Sequence, residues 1–184
     1  MHKEKNMKLG LRRGTVAVEP HNSEWEAAAQ QTIAKLRVIL GTAAVDIQHI
    51  GSTSIKGICA KPIIDIVVGA ADFNEILGMN DVLEKNGFIF RGQDVPDQYL
   101  YVCGDTDTRT HHIHAVIYGS EAWNNYINMR DYLNCHTEDA QAYSQLKEKL
   151  AEQYPDDRNK YTEMKSAFIS DILAKARQWR NSTQ

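Results

Sequence analysis

One apolar segment interrupted by a single acid constrains the fold most. Residues 61–69, KPIIDIVVG, are apolar on both faces of a strand except at Asp65. Such strands are typical of sheets that helices cover on both sides. A second strand signal, AVDIQHIG at residues 44–51, leads into the small-residue loop Gly51–Ser54 just upstream. These two segments therefore predict the central strands of a helix-covered sheet, joined through a glycine loop.

Helix signals flank this strand pair. Residues 22–41 contain Ser23 and Glu26 at the spacing of a capping box and end in glycine, which predicts a helix. Residues 72–87 repeat the pattern and predict a second helix. After Ser120, apolar stripes at helical spacing predict three C-terminal helices.

Short strands complete the predicted sheet. GTVAVEP at residues 14–20 predicts one strand, and GFIFRG, QYLYVCG and THHIHAVIYG predict three more. Short connections with Gly and Asp favour antiparallel neighbours, so we expect an α/β (α+β) fold with a small mixed β-sheet, flanking helices and a C-terminal helical segment. The expected organisation is a flexible tail at 1–14, an α/β core at 15–120 and C-terminal helices at 121–180 packed on that core as one unit.

Composition excludes some classes of function. The 184 residues carry 21 basic and 24 acidic side chains, which gives no strong signal for nucleic acid and none for a membrane surface. No apolar run approaches the roughly 20 residues that span a bilayer. The three cysteines are widely spaced, as is typical of reduced thiols. We therefore expect a cytoplasmic protein.

The loop Gly51-Ser52-Thr53-Ser54 is a candidate phosphate site. A strand that ends in Gly-Ser can aim backbone N–H groups and small hydroxyls at an anion. The loop has no P-loop lysine and no G-x-G-x-x-G spacing, so the standard nucleotide fingerprints are absent. Taken alone, an ordinary turn explains the loop better.

Asp65 and a histidine-rich strand make a candidate metal site. A buried carboxylate needs a cation, strong donors or water, so Asp65 is either bonded to backbone amides or a metal ligand. His112 and His114 project from one strand face and are candidate ligands of a divalent metal (Mg, Mn or Zn) or donors to phosphate. His49 is a third candidate ligand and, with Asp65, a candidate catalytic residue. A satisfied polar histidine is the alternative reading.

Three basic residues are candidate phosphate ligands. Arg130 and Lys165 fall on inward stripes of predicted helices, where apolar residues are expected, and Lys61 precedes Pro62 in the strand entry. Their long side chains either snorkel to the surface or face the phosphate position of the glycine loop.

Together these segments resemble the GrpB family of the nucleotidyltransferase superfamily. The resemblance runs from about Val16 to Trp179 and rests on three stretches: HIGSTSIKGICAKPIIDIVV, HHIHAVIYGSEAWNNYINMRDYL and YTEMKSAFI. It implies the nucleotidyltransferase fold, in which a Gly-Ser loop holds nucleotide phosphates and carboxylates on the following strands hold magnesium. Some members resemble segments joined to the last enzyme of coenzyme A synthesis, which points to a link with coenzyme A metabolism.

The superfamily pattern carries over only in part. Gly51 and Ser52 match the loop and Asp65 matches the second carboxylate, but Ile63 stands where the first is expected. Histidines occupy the strand of the third carboxylate. Magnesium prefers oxygen ligands, so this departure favours a transition metal or direct phosphate contact.

Three functional hypotheses follow. The first is a nucleotide or other small phosphorylated ligand bound at the loop, with metal-dependent nucleotidyl or phosphoryl transfer to a small molecule. The second is a noncatalytic nucleotide- or phosphate-binding module that has lost the metal carboxylate pair. The third is a metal-dependent hydrolase built around the His-x-His strand.

Overall fold

A mixed six-stranded sheet forms the centre of the computed structural model, which describes residues 7–183. The strands are β1 Leu11–Arg12, β2 Ala44–Ile50, β3 Ile64–Ala70, β4 Ile89–Val95, β5 Gln98–Gly104 and β6 Thr108–Ile117. The helices are α1 Glu24–Leu40, α2 Phe73–Leu77, α3 Asn80–Lys85, α4 Glu121–Cys135, α5 Thr137–Gln153 and α6 Arg158–Thr183. The predicted fold class is confirmed.

Sheet topology places the predicted site strands side by side. The order is β2-β3-β6-β5-β4, with β1 paired to β6. Only the β3–β6 pair is parallel among the strand pairs of residues 7–183, and its register aligns Asp65 with His112. The connection between these two strands runs through α2, α3 and the β4–β5 hairpin, because parallel neighbours cannot be joined by a tight turn.

The two faces of the sheet pack against different helices. Ile64, Ile66 and Val68 of β3 belong to an apolar cluster with α1 and with the short helices α2 and α3. On the other face Val67 packs with Ile50, Val116 and Trp123 of α4. The alternation of β3 thus puts Asp65, which shares the face of Val67, beneath the C-terminal helices.

The C-terminal helices add two further apolar clusters. One joins Ile55 and Ile58, which follow the glycine loop, to α4, α5 and α6. The other contains Leu150 of α5 and Tyr161 of α6. The helices are therefore anchored to the segment between β2 and β3. No helix of the described residues is long and apolar enough to cross a bilayer.

Two predictions near the N-terminus need correction. Residues 14–20 do not form a strand, and their strand-like pairing is confined to an isolated bridge between Glu19 and Ala60 among the described residues. Val16 is buried against α5 and α6 instead, so its apolar character reflects helix packing. Leu11–Arg12, within the segment predicted as a tail, pairs with β6. Residues 1–6 of that tail lie outside the described part.

Two helix predictions also change in detail. The helix predicted over residues 72–87 is divided into α2 and α3, because the chain leaves helical geometry between Gly78 and Met79. The capping box of α1 is absent: Ser23 makes no side-chain cap, and Asn22 accepts from the Glu24 amide instead. Glu26 consequently keeps its carboxylate free for another partner.

Candidate functional site

The glycine loop packs directly against Asp65. Gly51 has a φ of 71°, and a Cβ atom there would lie 2.6 Å from Asp65 Oδ2, so only glycine fits this position. Ser52–Ser54 form a 3₁₀ turn, in which the Ser54 hydroxyl donates to the Gly51 carbonyl at 2.6 Å. The backbone of the loop and the carboxylate therefore form one continuous surface.

Asp65, His112 and His114 converge as predicted. Nδ1 of His112 lies 3.3 Å and Nε2 of His114 lies 3.4 Å from Asp65 Oδ1. One potential ligand atom of each residue lies within 4.8 Å of the other two. His111 points away from this cluster to Thr32 of α1, at 3.1 Å, as the alternation of β6 requires.

The protonation pattern around this cluster favours a cation. Burial raises the pKa of Asp65, but hydrogen bonds and charge from His112 and His114 outweigh burial and lower it below its usual range. The Tyr126 hydroxyl donates to Gln98 at 2.6 Å and lies 3.3 Å from Nδ1 of His114. An ionised carboxylate beside two imidazoles is an environment that attracts a cation.

The donor set fits a transition metal better than magnesium. Two imidazoles and one carboxylate are typical ligands of zinc, manganese or iron, whereas magnesium takes oxygen ligands. Ligands about 2 Å from one ion lie roughly 3–4 Å apart, which agrees with the 3.3 Å and 3.4 Å between Asp65 Oδ1 and the two imidazoles. Ile63, at the position expected for another carboxylate, is 8% exposed, and its hydrocarbon side chain offers no oxygen to a second ion.

A cavity of about 300 Å³ opens beside this cluster. Its wall combines the loop residues Gly51, Ser52 and Thr53 with Asp65 and His112. Opposite them lie basic side chains from four different parts of the chain: Lys61, Arg130, Lys147, Arg158 and Lys165. Asp65 is the one carboxylate among the described lining residues, so the cavity is strongly positive and suited to an anion.

Mutual repulsion and burial perturb the lysines of this cavity. Burial, with the charges of Lys165 and Arg158, lowers the pKa of Lys61 to about 8. Burial likewise lowers the pKa of Lys147 to about 7 and that of Lys165 below its usual value. Groups with such shifts are concentrated at functional sites, and a bound anion would relieve the repulsion.

Aromatic residues hold these cations in place. The ammonium groups of Lys61 and Lys165 lie 5.2 Å and 4.7 Å from the ring centre of Tyr161. Lys147 donates to the Cys59 carbonyl and lies 4.5 Å from the ring centre of Tyr143. Tyr161 is fully buried, and its hydroxyl has no hydrogen-bond partner within the described protein. A buried unpaired hydroxyl in a cavity wall is a ready ligand contact.

Arg130 lies at the cavity wall but is already engaged. Its guanidinium contacts Asp131 and donates to Gln48 Oε1 at 2.6 Å and to the His49 carbonyl at 3.1 Å. Arg37 donates to the Ile47 carbonyl at 3.4 Å on the same strand. The predicted role of Arg130 as a phosphate ligand would thus require exchange of these partners, whereas Lys61 and Lys165 face the cavity directly.

His49 does not join the metal cluster. Its place in the β2–β3 register is opposite Ile66, so its side chain takes the face away from Asp65. Nδ1 lies 2.8 Å from Glu26 Oε2, and Nε2 lies 2.9 Å from the Thr53 hydroxyl. Ser54, also predicted to bind phosphate, lines a separate groove with His49.

Sequence reasoning missed several site residues. Arg158 precedes Tyr161 and Lys165 by three and seven positions on α6, so helical spacing could have placed it on the same stripe. Lys147 follows Tyr143 by four positions on α5 and was detectable in the same way. The contact of Glu26 with His49 had no local signal, because a capping box explained that glutamate.

The sheet and its helices define a protein with a nucleotidyltransferase-like fold. The crystal structure of Cid1 poly(U) polymerase with MgGTP bound superposes with a TM-score of 0.51 over 72% of this chain and 44% of that chain. Sequence identity in this comparison is 12%, so the likeness concerns the fold alone.

The chain belongs to the GrpB family. The sequence profile described as GrpB protein matches residues 15–175. Glutamate-rich protein GrpB of Alkalihalophilus pseudofirmus is 37% identical over 170 residues, which cover 90% of this chain and 98% of that protein. The crystal structure of conserved protein GrpB from Enterococcus faecalis has a TM-score of 0.83 and 29% identity, covering 89% of this chain and 99% of that one. The UPF0157 protein YqkA of Bacillus subtilis is 31% identical over 160 residues, and this chain spans only 47% of it.

Proposed function

We propose that the protein binds the phosphate groups of a nucleotide or another small phosphorylated ligand in the positive cavity, and transfers a nucleotidyl or phosphoryl group to a small molecule. One observation carries this proposal: five basic side chains and a single carboxylate surround a cavity of about 300 Å³ beneath the glycine loop. This volume lies at the lower limit of ligand pockets, so it suits a polyphosphate while a nucleoside would extend outside.

Each part of the cavity has a chemical role in this proposal. The backbone of Gly51 and Ser52 contacts phosphate, while Lys61, Lys165 and the newly found Lys147 and Arg158 neutralise its charge. Asp65, His112 and His114 would hold a divalent cation, which supplies charge neutralisation at the transferred phosphate. The shared fold with Cid1, crystallised with MgGTP, supports a nucleotide as the ligand.

A calorimetric titration of inorganic tripolyphosphate tests the cavity. We expect Lys165→Met to weaken tripolyphosphate binding at least tenfold, since it removes a cation that faces the cavity. Lys160→Met is the matched control, because Lys160 is on the same helix but pairs with Glu163 at 3.0 Å on the surface. Equal affinities in the two variants would contradict the proposed site. ATP and coenzyme A, titrated in parallel, distinguish a nucleotide from a coenzyme A ligand.

A noncatalytic binding module is the second candidate. Ile63 at the position expected for the first carboxylate favours it, because one carboxylate gives a weaker metal site than a pair. Tripolyphosphate affinity that is equal with and without Mn²⁺, and unchanged in Asp65→Asn, would support the module. Affinity that rises with Mn²⁺ in the wild type but not in Asp65→Asn would support the transferase.

A further inference from the structure

A second and larger cavity adjoins the positive cavity. This outer groove has a volume of about 1,050 Å³ and lies between α1, the free edge of β2 and α4. Thr53 and Arg130 line both cavities. A molecule in the outer groove would therefore lie next to the glycine loop, on the side opposite the basic cluster.

A hydrogen-bonded chain of three side chains crosses the wall between the cavities. Glu26 Oε2 lies 2.8 Å from His49 Nδ1, and His49 Nε2 lies 2.9 Å from Thr53 Oγ1. The Glu26 side chain is 60% exposed, whereas His49 and Thr53 are buried. The chain therefore runs from the solvent side of the outer groove to the loop that borders the positive cavity.

The donors and acceptors in this series of hydrogen bonds can be assigned. Burial and the charge of Arg130 lower the pKa of His49, although the hydrogen bond that His49 donates to Glu26 and the charges of Glu26 and Asp65 act in the other direction. A neutral imidazole that donates its Nδ1 proton in a hydrogen bond to Glu26 has no proton on Nε2. Nε2 is therefore an acceptor, and the Thr53 hydroxyl donates to it. A hydroxyl donating to a base that a carboxylate orients is the arrangement found in enzymes that move a proton from an alcohol.

The position of Glu26 is a local departure from helix rules. Its place in α1 suits a capping box with Ser23, yet that cap is absent and the carboxylate binds His49. Departures of this kind are expected at functional sites. Helix stability alone gives no reason to hold Glu26 against a histidine 23 positions later in the sequence.

The groove lining defines the class of ligand. Its lining contains charges of both signs and amides, including Arg37, Asp46, Gln30, Gln48 and Lys56. Rings in the lining are confined to His21 and His49 among the described residues, so the groove has no stacking platform for a large aromatic group. It suits a small, polar molecule that carries hydroxyl groups.

We infer that the outer groove binds a hydroxyl-bearing acceptor and that Thr53 passes its proton to His49, which Glu26 orients. This inference rests on the proposed phosphate donor in the positive cavity. The acceptor oxygen forms a bond to phosphorus, and the bond from phosphorus to the leaving phosphate oxygen breaks with its electron pair. The acceptor proton moves to Thr53 Oγ1 while the Thr53 proton moves to His49 Nε2, so Thr53 is regenerated as a hydroxyl.

The experiment follows ester formation by ³¹P NMR with ATP, Mn²⁺ and three probe acceptors, namely glycerol, ribose and ethanolamine. With at least one probe we expect a new phosphate ester. The kcat for its formation should fall as the pH drops and His49 becomes protonated. Glu26→Gln and Thr53→Val should each lower kcat at least tenfold, with the KM for ATP within twofold. Thr53→Ser should restore most of the rate, and Glu24→Gln, an exposed neighbour on α1 outside the groove, should leave it unchanged.

Tripolyphosphate titration of the same proteins separates this inference from the proposed function. If tripolyphosphate binds the wild type but no probe yields an ester, the proton relay is wrong and the binding site stands. The relay is also wrong if Glu26→Gln retains the wild-type kcat and pH profile. If tripolyphosphate does not bind at all, the proposed function and the relay both fail.

Discussion

The two faces of the sheet differ in whether charged side chains lie among the apolar ones. Against α1, β3 presents Ile64, Ile66 and Val68, each at most 1% exposed and surrounded by apolar neighbours. Beneath the C-terminal helices the same strand presents Asp65, and α5 contributes Lys147, which is only 2% exposed. The strand β3 thus has an apolar core on one side and a cavity lined by charged side chains on the other.

The apolar face contributes to stability, whereas the charged face contains the residues of the proposed site. Apolar burial on the α1 face gains roughly 25 cal/mol per Å² removed from water, whereas burial of an unpaired cation costs several kcal/mol. The charged face is therefore a net cost to the fold in the absence of an anion. We expect substitutions on the two faces to change stability in opposite directions.

The largest expected effect is on the apolar face. Ile66→Ala should lower the free energy of unfolding by about 2–5 kcal/mol, because Ile66 is fully buried and its neighbours cannot fill the space. Val38→Ala, at a position 86% exposed on α1, should change it by less than about 0.5 kcal/mol. Urea denaturation measures both, and similar losses would mean that the α1 face is not the main core.

An effect of opposite sign is expected on the charged face. Lys147→Met should raise the free energy of unfolding by about 1 kcal/mol at pH 6, because it removes a buried cation at the cost of one hydrogen bond to Cys59. Since burial lowers the pKa of Lys147 to about 7, the folded protein binds fewer protons than the unfolded chain above pH 7. Wild-type stability should therefore rise with pH from 7 towards the ordinary lysine range.

The pH series provides the control for this prediction. Lys147→Met should show a smaller rise in unfolding free energy between pH 7 and pH 9 than the wild type, so the advantage of the variant shrinks as pH increases. Lys160→Met, at the surface, should follow the wild-type curve. A variant less stable than the wild type at pH 6 would contradict the view that the charged face is a cost.

The smallest expected effect compares two helix caps on the apolar face. Asp72 accepts from the Asn74 amide at 2.7 Å, so Asp72→Ala should lower the free energy of unfolding by about 1 kcal/mol. Ser23→Ala should change it by less than about 0.5 kcal/mol, because Ser23 makes no side-chain cap. Equal losses in urea denaturation would show that Ser23 caps α1 after all.

The alternation of side chains along the strands was sufficient to predict the part of the site that lies on the sheet, namely Asp65, His112 and His114. Alternation along β3 and β6 put Asp65 on one face and separated His111 from His112 and His114, because side-chain direction in a strand depends only on position parity. The five long strands and the three C-terminal helices followed from the same local signals. The family resemblance then gave the fold, which a local pattern cannot specify.

Contacts between distant segments could not be predicted in this way. Arg130 carries the same helical signal whether it faces phosphate or the edge of β2, and only the packing of α4 decides between them. Lys147 and Lys61 are separated by 86 positions in the sequence numbering, yet line one cavity. The capping pattern of Glu26 was misleading, because its carboxylate binds His49 from a distant segment and does not form a capping box with Ser23.

The two arginines that contact β2 from α1 and α4 also affect how the protein behaves at high concentration. β2 is the last strand of the sheet on its side, and an unpaired edge strand is a template for the addition of strands from other molecules. Arg37 and Arg130 donate to the carbonyls of Ile47 and His49 along this edge, which occupies acceptors that a foreign strand would need. The outer groove can therefore stay open to a small molecule while its floor resists fibrous self-association.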